Sequence, residues 1–140
     1  MNTKNKYKDL KNLSFAPRVE KKYVVPILKK CDLLYFSVFS SKVWLYGQSL
    51  NKVIDYMSAG KPIIASYDGF PSMINEAKCG EFIPAGDSDS IVHSIINYSK
   101  LPAQERAEIG ERGRRWLFKN RLYKKLAENY YSLIKKNKLK

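Results

Sequence analysis

The hydrophobic pattern of this chain changes repeatedly between two periodicities. Short apolar runs without alternation, such as CDLLYFSVF from Cys31 and PIIAS from Pro62, predict strands that are buried on both faces. Between them, apolar residues recur at helical spacing, as at Val53, Ile54 and Met57. This order predicts an α/β fold with an open, doubly wound parallel sheet, because right-handed crossovers leave few alternatives.

The predicted elements follow the order βαβαβαβ and end in helices. Gly60 is expected to stop the helix that begins at Asn51, and Asp87 or Ser88 to cap a later one. Strands are predicted at residues 12–16, 31–39, 62–66 and 81–85, and helices at residues 23–30, 51–59, 71–78, 88–98, 102–117 and 122–133.

Length and composition indicate one domain with a true core. The chain has 140 residues, of which 44% are hydrophobic. We expect a single domain over residues 1–140, in which residues 1–11 are a basic amino-terminal segment. Residues 12–118 would form the α/β core and residues 119–140 a basic amphipathic helix.

Two cysteines without a Cys or His neighbour, Cys31 and Cys79, indicate reduced thiols in a cytoplasmic protein. Cys31 is expected in the core, and no metal site is expected. No apolar run approaches the roughly 20 residues that a membrane span needs. The basic start of the chain lacks the apolar segment of a secretory signal.

The net charge of +13 predicts attraction to nucleic acid, phospholipid headgroups or a phosphorylated ligand. Between Arg112 and Lys140, eleven Lys and Arg stand against one acid, Glu128. Solvated surface lysines explain part of this excess equally well. The alternative function is a basic nucleic-acid-binding module, although the sequence lacks a helix-turn-helix, RNA-recognition or zinc pattern, which makes nucleic acid the less favoured partner.

The loop over residues 37–50 leads from a strand end into a helix, where ligands of doubly wound sheets bind. A helix amino terminus has unpaired N–H groups and a partial positive charge, so it attracts phosphate. Gly47 and Ser49 would let the backbone come close to a ligand, Asn51 could cap the helix, and Lys52 adds a full charge.

Asp55 lies one turn further into this helix, where its carboxylate could accept two hydrogen bonds from a vicinal diol such as a ribose. Phosphate on the amides and a diol on the acid describe a nucleotide. The alternative is structural: Ser49 or Asn51 is an ordinary cap, Lys52 is solvated, and Asp55 complements the helix dipole. Residues 67–70, YDGF, predict a turn, or else a wall of the same site.

The segment NKVIDYMSAGKPIIAS resembles the donor-site helix of group 1 (family 4) glycosyltransferases, which are retaining enzymes of the GT-B fold. Four further segments resemble neighbouring parts of that family, namely NLSFAPRV, VVPILKKCDLLYFS, MINEAKCGEFIPAGDSDSIVHSI and ERGRRWLFKNRLYKKLAENYYSLI. The resemblance covers about residues 12–134. It implies the carboxyl-terminal half of a GT-B enzyme, which is a Rossmann-like domain that holds the nucleotide-sugar.

The resemblance also implies roles for individual residues. Backbone amides would meet the diphosphate, Asp55 would meet the ribose, and Arg18 would lie in the base-binding loop or else be a plain surface residue. Gly47 falls where relatives carry an acid that contacts the donor sugar. The implied substrate-binding residues are Gly47, Ser49, Leu50, Asn51, Lys52, Asp55 and Arg18.

The implied function is donor binding in a retaining glycosyltransferase of cell-surface polysaccharide biosynthesis, with a nucleotide-diphosphate sugar as substrate and no metal or other cofactor. The family's acceptor-binding half, and the first strand and helix of this half, have no counterpart in the sequence. Little or no turnover is therefore expected without a partner half. The basic last helix would pack across onto that half, or lie on an anionic membrane at the inner face.

Overall fold

A parallel sheet with helices on both faces forms the centre of the computed structural model, which describes residues 6–46, 50–69 and 72–138, with side chains up to residue 136. The strands are β1 Leu34–Ser37, β2 Ile63–Ser66 and β3 Gly80–Ile83. The helices are α1 Lys21–Leu28, α2 Asn51–Ala59, α3 Met73–Ala77, α4 Ser88–Lys100, α5 Ala103–Asn120 and α6 Tyr123–Lys138, with a 3₁₀ helix at Lys42–Tyr46.

The three strands pair in the order β1-β2-β3, and both pairs are parallel. Ile63 of β2 lies opposite Leu34 of β1 and Gly80 of β3. All four residues of β2 are buried, which explains why PIIAS carries no alternation of polar and apolar residues. The predicted α/β class and the parallel sheet are therefore confirmed.

The core lies between one face of the sheet and the helices α2, α3 and α5. Phe36 and Ile63 pack there against Val53 and Met57 of α2 and Leu117 of α5. Helix α4 packs against β2 from the opposite face. Successive side chains along a strand point to opposite faces of the sheet. Every second residue of a strand therefore faces α2, and the residues between them face α4.

The strand predicted at residues 12–16 is wrong. This segment is exposed and contains a turn in which the Leu13 N–H donates to the Leu10 carbonyl at 3.2 Å, followed by irregular backbone. A strand needs a neighbour for its N–H and C=O groups, and none of the described strands lies beside this segment. The apolar pattern of NLSFA carries no information about whether such a neighbour is present.

The end of α2 and the start of α4 follow the predicted signals. Gly60 adopts the left-handed conformation (φ 68°) after α2, and its N–H donates to the Met57 carbonyl at 3.1 Å. Asp87, rather than Ser88, caps α4, because its Oδ1 accepts from the N–H groups of Asp89 and Ser90, both at 3.1 Å. The hydrogen bonds from Ser90 hold the pKa of the Asp87 carboxyl below its usual range.

Helix α5 approaches the end of α2 at a glycine. A Cβ atom on Gly110 would lie 2.1 Å from the Gly60 carbonyl oxygen and 2.6 Å from the Lys61 Cα, distances that real Cβ atoms do not show. The contact is backbone against backbone, so no flexible side chain can move aside. Gly110 therefore fixes how closely the two helices pack.

The open edge of β1 is partly covered by Tyr56 of α2. The Leu34 and Val38 N–H groups donate to β2-side carbonyls, so the intervening Tyr35 backbone groups face away from β2. The Tyr56 hydroxyl donates to the Tyr35 carbonyl at 3.1 Å, and its ring meets Phe36 edge-on at 6.2 Å. Burial, more than the nearby Cys31 and Asp55 charges, raises the pKa of the Tyr56 hydroxyl.

The core cysteine is Cys79 and not Cys31, contrary to the sequence-based expectation. Cys79 is fully buried, whereas Cys31 is half-buried after α1. The apolar neighbours of Cys31 in the sequence favoured it, but it precedes β1 instead of belonging to it. Burial raises the pKa of the Cys79 thiol to about 11.

We expect only one of the two thiols to react readily with iodoacetamide at neutral pH. The thiolate is the reactive form of cysteine. Cys79 is buried, and its raised pKa keeps the thiol protonated at neutral pH. Mass spectrometry after brief labelling should find the label on Cys31, and label on Cys79 only after unfolding. A Cys31→Ser chain that still labels rapidly in the folded state would contradict this assignment.

Candidate functional site

The amino terminus of α2 lies at the edge of the sheet where the parallel strands end. After β1 the chain passes through the 3₁₀ helix and enters α2 at Asn51. Since α2 connects two parallel neighbours, it runs back against them and begins at their carboxyl ends. Gly47 and Ser49 lie outside the described residues, so their roles stay predictions.

The N-cap of α2 is Leu50, and Asn51 is the first helical residue. The expectation that Asn51 caps the helix is therefore wrong, because a cap must precede the first helical turn. Leu50 has extended backbone (φ −87°, ψ 120°), and its side chain packs against the core without capping the helix. An apolar N-cap leaves its helix without the acceptor that Ser, Asp or Asn would supply.

A cleft of about 600 Å³ opens beside this helix start. It brings together Asn51 and Asp55, two of the residues expected to bind substrate. It also contains two cations that sequence reasoning missed, one from α1 and one from the α5–α6 junction. The cleft is lined by Lys21, Asn51, Ile54, Asp55, Arg121, Tyr123 and Leu126.

Lys21 and Asp55 form an ion pair in this cleft. The Lys21 Nζ donates to both carboxylate oxygens of Asp55, at 2.6 Å to Oδ1 and 2.5 Å to Oδ2. The Lys21 side chain is 72% exposed, whereas that of Asp55 is 18% exposed. An exposed lysine holds such a pair only weakly, so the ammonium can leave the carboxylate to a ligand at small cost.

Arg121 supplies the second cation. Its backbone N–H ends α5 by donating to the Leu117 carbonyl at 2.8 Å, and its guanidinium carbon lies 5.9 Å from the Trp116 ring centre. Within the described part of the chain, Arg121 makes no ion pair with a carboxylate. Nothing in the local sequence distinguishes it from the other basic residues of this region.

The other predicted residues lie apart from the cleft. Lys52 is exposed, and its Nζ lies 5.6 Å from the Phe36 ring centre, so it does not share a cleft with Asp55. Arg18 is exposed in irregular backbone before α1 and does not line the cleft either. The binding roles of Lys52 and Arg18 stay predictions.

A second depression, of about 210 Å³, lies over the ends of all three strands. Its lining includes Ser37, Ser40, Ser66 and Ser88, but none of the predicted site residues. The Ser66 hydroxyl donates to the Pro84 carbonyl and accepts from the Gly86 N–H, both at 3.2 Å. This serine therefore holds the β2 and β3 ends together.

The segment after β2 also serves the structure. The Tyr67 hydroxyl donates to the Trp44 carbonyl at 3.0 Å, and the Asp68 Oδ1 accepts from the Ala85 N–H at 2.9 Å. These contacts agree with a structural turn at this position, while Phe70 lies outside the described residues. Among the residues that the structure describes, no three His, Cys, Asp or Glu side chains lie close enough to hold a metal ion.

The parallel sheet, with a helix start and an open cleft at its carboxyl edge, defines a Rossmann-like α/β domain. The chain belongs to the glycosyl transferases of group 1, because the model of that family matches residues 2–100. This match confirms the family that NKVIDYMSAGKPIIAS and its flanking segments resemble. Neither a curated protein nor a solved structure matches the chain significantly.

Proposed function

We propose that this chain binds the nucleotide part of a nucleotide-sugar donor in the cleft between α1, α2 and α6. One observation supports this most directly: Asn51 at the start of α2 and Asp55 one turn later share that cleft with two cations. A nucleoside diphosphate offers anionic phosphates for the two cations and a ribose diol for the carboxylate. Membership of the group 1 glycosyl transferases supports a nucleotide-sugar as the source of such a ligand.

The diphosphate would lie at the start of α2, between Lys21 and Arg121. The helix dipole contributes a partial positive charge there, and amides of the first turn point towards the ligand. Arg121 presents a planar guanidinium that suits phosphate oxygens. During transfer, the bond between the sugar's anomeric carbon and the diphosphate oxygen breaks, and these groups would stabilise the negative charge that the diphosphate gains.

The ribose would lie against Asp55. An ionised carboxylate has about four lone-pair positions, so Asp55 can accept from a diol while Lys21 stays close or turns towards a phosphate. The low exposure of the Asp55 side chain, 18%, favours a ligand hydroxyl that replaces water as the donor to its carboxylate. Binding would thus exchange an ion pair for two hydrogen bonds and a lysine–phosphate contact.

We further propose that this donor site serves a retaining transfer in cell-surface polysaccharide assembly and needs a second, acceptor-binding half for turnover. The cleft is open to solvent, as the exposures of Lys21 (72%) and Tyr123 (92%) show. An open cleft neither excludes water nor positions an acceptor hydroxyl. The second half would close it and supply the acceptor.

Thermal unfolding with UDP, GDP, uridine and inorganic pyrophosphate tests donor binding. We expect UDP or GDP to raise Tm by several degrees, since a ligand at about a hundredfold its dissociation constant adds about 2.7 kcal/mol to the free energy of unfolding. Uridine and pyrophosphate should each have smaller effects, because each fills only half of the cleft. The same purified chain should show little transfer from nucleotide-sugars to any acceptor.

The nucleic-acid alternative has a distinct outcome in the same assays. Binding to duplex DNA that collapses as salt rises, and that UDP or GDP does not compete, would replace our proposal. Rapid sugar transfer by the isolated chain would leave donor binding intact but overturn the need for a second half. No Tm change with any nucleoside diphosphate would overturn donor binding itself.

A further inference from the structure

One wall of the cleft beside α2 is apolar, and the groups proposed to hold the diphosphate and the ribose leave it free. Ile54 of α2 and Tyr123 and Leu126 of α6 form this wall. Tyr123 and Leu126 are three residues apart, so their side chains lie on one face of α6. Their exposed fractions are 92% and 38%, whereas Ile54 is partly buried against the core. The wall is therefore open to a ligand.

The Tyr123 side chain makes no structural contact of its own in the described part of the chain. Its hydroxyl has no hydrogen-bond partner there, and its ring neither packs on another ring nor lies under a cation. Tyr56 and Tyr67, by contrast, each donate their hydroxyl to a backbone carbonyl. An exposed aromatic ring in a cleft presents a flat apolar face that a planar ligand can cover.

We propose that the nucleobase of the donor stacks on the Tyr123 ring and lies against Leu126 and Ile54. This inference rests on the proposed donor site and places the part of the nucleotide that the proposal leaves open. A nucleotide has the order diphosphate, ribose, base. With the diphosphate at the two cations and the ribose on Asp55, the apolar wall is the part of the cleft that remains for the base.

Such a wall holds a base without distinguishing one base from another. Bases are told apart by hydrogen bonds to the donors and acceptors on their edges, whereas stacking accepts any base because every base has a π-face. The wall offers only the Tyr123 hydroxyl, which can both donate and accept and so suits either kind of edge group. Asn51 lies at the diphosphate end, at the start of α2. The cleft therefore selects a nucleoside diphosphate but not a particular base.

The wall lies apart from the residue that the family resemblance implies for the base. Arg18 is exposed in irregular backbone before α1 and does not line the cleft. A base that stacks on Tyr123 would leave Arg18 in solvent. The two residues therefore give opposite expectations for the same measurement.

Isothermal titration of the full chain with UDP, CDP, GDP and ADP tests the inference. The four dissociation constants should agree within about tenfold, with the purine nucleotides binding more tightly because a larger base covers more of the apolar wall. Tyr123→Ala should weaken all four by on the order of 5- to 100-fold, the range that alanine substitution of a stacking residue gives. Tyr123→Phe keeps the ring and should stay within about threefold of the parent chain.

Inorganic pyrophosphate has no base, so it should bind the parent chain and Tyr123→Ala equally. Tyr131→Ala is the matched control, because it removes a tyrosine of the same helix that is 61% exposed and lies outside the cleft. It should leave all four dissociation constants unchanged. Because Tyr123 is exposed, the Tm of Tyr123→Ala should match that of the parent chain.

Three results would overturn the base assignment while leaving the donor site intact. The first is a loss of UDP affinity in Arg18→Ala but not in Tyr123→Ala. The second is a Tyr123→Ala chain that loses pyrophosphate and UDP affinity equally, which would show that Tyr123 only shapes the cleft. The third is a preference of more than about a hundredfold for one base. Failure of the parent chain to bind any of the four nucleotides would instead overturn the donor site, and this inference with it.

Discussion

Replacing Gly110 with alanine is expected to destabilise the chain by ~3 kcal/mol, with a fall in Tm of about 10 °C. In an exposed helix the same change would stabilise by up to about 1 kcal/mol, because alanine has the higher helix propensity. Here the new Cβ would lie 2.1 Å from the Gly60 carbonyl oxygen. The helices would have to separate, and the clash should outweigh the propensity. Urea unfolding followed by circular dichroism measures the difference.

Glu108→Ala is the matched control for this substitution. It lies in the same helix, and its side chain is exposed, so it changes helix propensity without meeting another backbone. Its free energy of unfolding should stay within ~0.5 kcal/mol of the parent value. A Gly110→Ala chain as stable as the control would mean that α2 and α5 do not approach each other closely at Gly60.

Changing Asp55 to Asn is expected to weaken UDP binding more than tenfold, because a hydrogen bond to a charged group contributes about 1.5–3 kcal/mol. Asparagine keeps the shape of the side chain and removes one of the two acceptor oxygens. The parent chain should also prefer UDP to 2′-deoxy-UDP, and the variant should lose that preference. Isothermal titration of both ligands on both chains gives the coupling between Asp55 and the ribose hydroxyl. If GDP is the stabilising nucleotide, GDP and 2′-deoxy-GDP take their place.

Asp32→Asn controls for the loss of an ion pair as such. Asp32 accepts from the Arg106 guanidinium at 3.4 Å and is 84% exposed, outside the cleft of Asp55. It should leave both nucleotide affinities unchanged. If Asp55→Asn weakened UDP and 2′-deoxy-UDP equally, the carboxylate would act on the ligand only through Lys21, and its assignment to the ribose would be wrong.

Sequence patterns predicted those parts of the fold that depend only on interactions between residues close together in the chain. The helix that begins at Asn51 and stops at Gly60 needs only apolar spacing and a residue that accepts φ 68°. The strand at residues 12–16 failed because strand formation depends on a neighbour that the local sequence does not specify. The burial of Cys79 in place of Cys31 has the same cause, since only the packed helices decide which thiol is covered.

The same distinction between short-range and long-range interactions applies to the candidate site. Asn51 and Asp55 are four residues apart on one helix, so their spacing alone indicated that they share a face. Lys21, which pairs with Asp55 over 34 residues of sequence, was not predictable in this way. Arg121 is one of many basic residues in its region, so the sequence did not identify it as a site residue. The cap at Leu50 was missed because propensity favours Asn as an N-cap, whereas here the helix starts one residue earlier, with Asn51 as its first helical residue.

Tyr56 has a consequence for how this chain behaves at high concentration. The outer edge of a sheet is a template on which a second copy can add its own strand, and such pairing leads to aggregation. By occupying the Tyr35 carbonyl, the Tyr56 hydroxyl removes one of the acceptors that an incoming strand would require. Because burial raises the pKa of the Tyr56 hydroxyl, this protection extends to a higher pH than an ordinary tyrosine would allow.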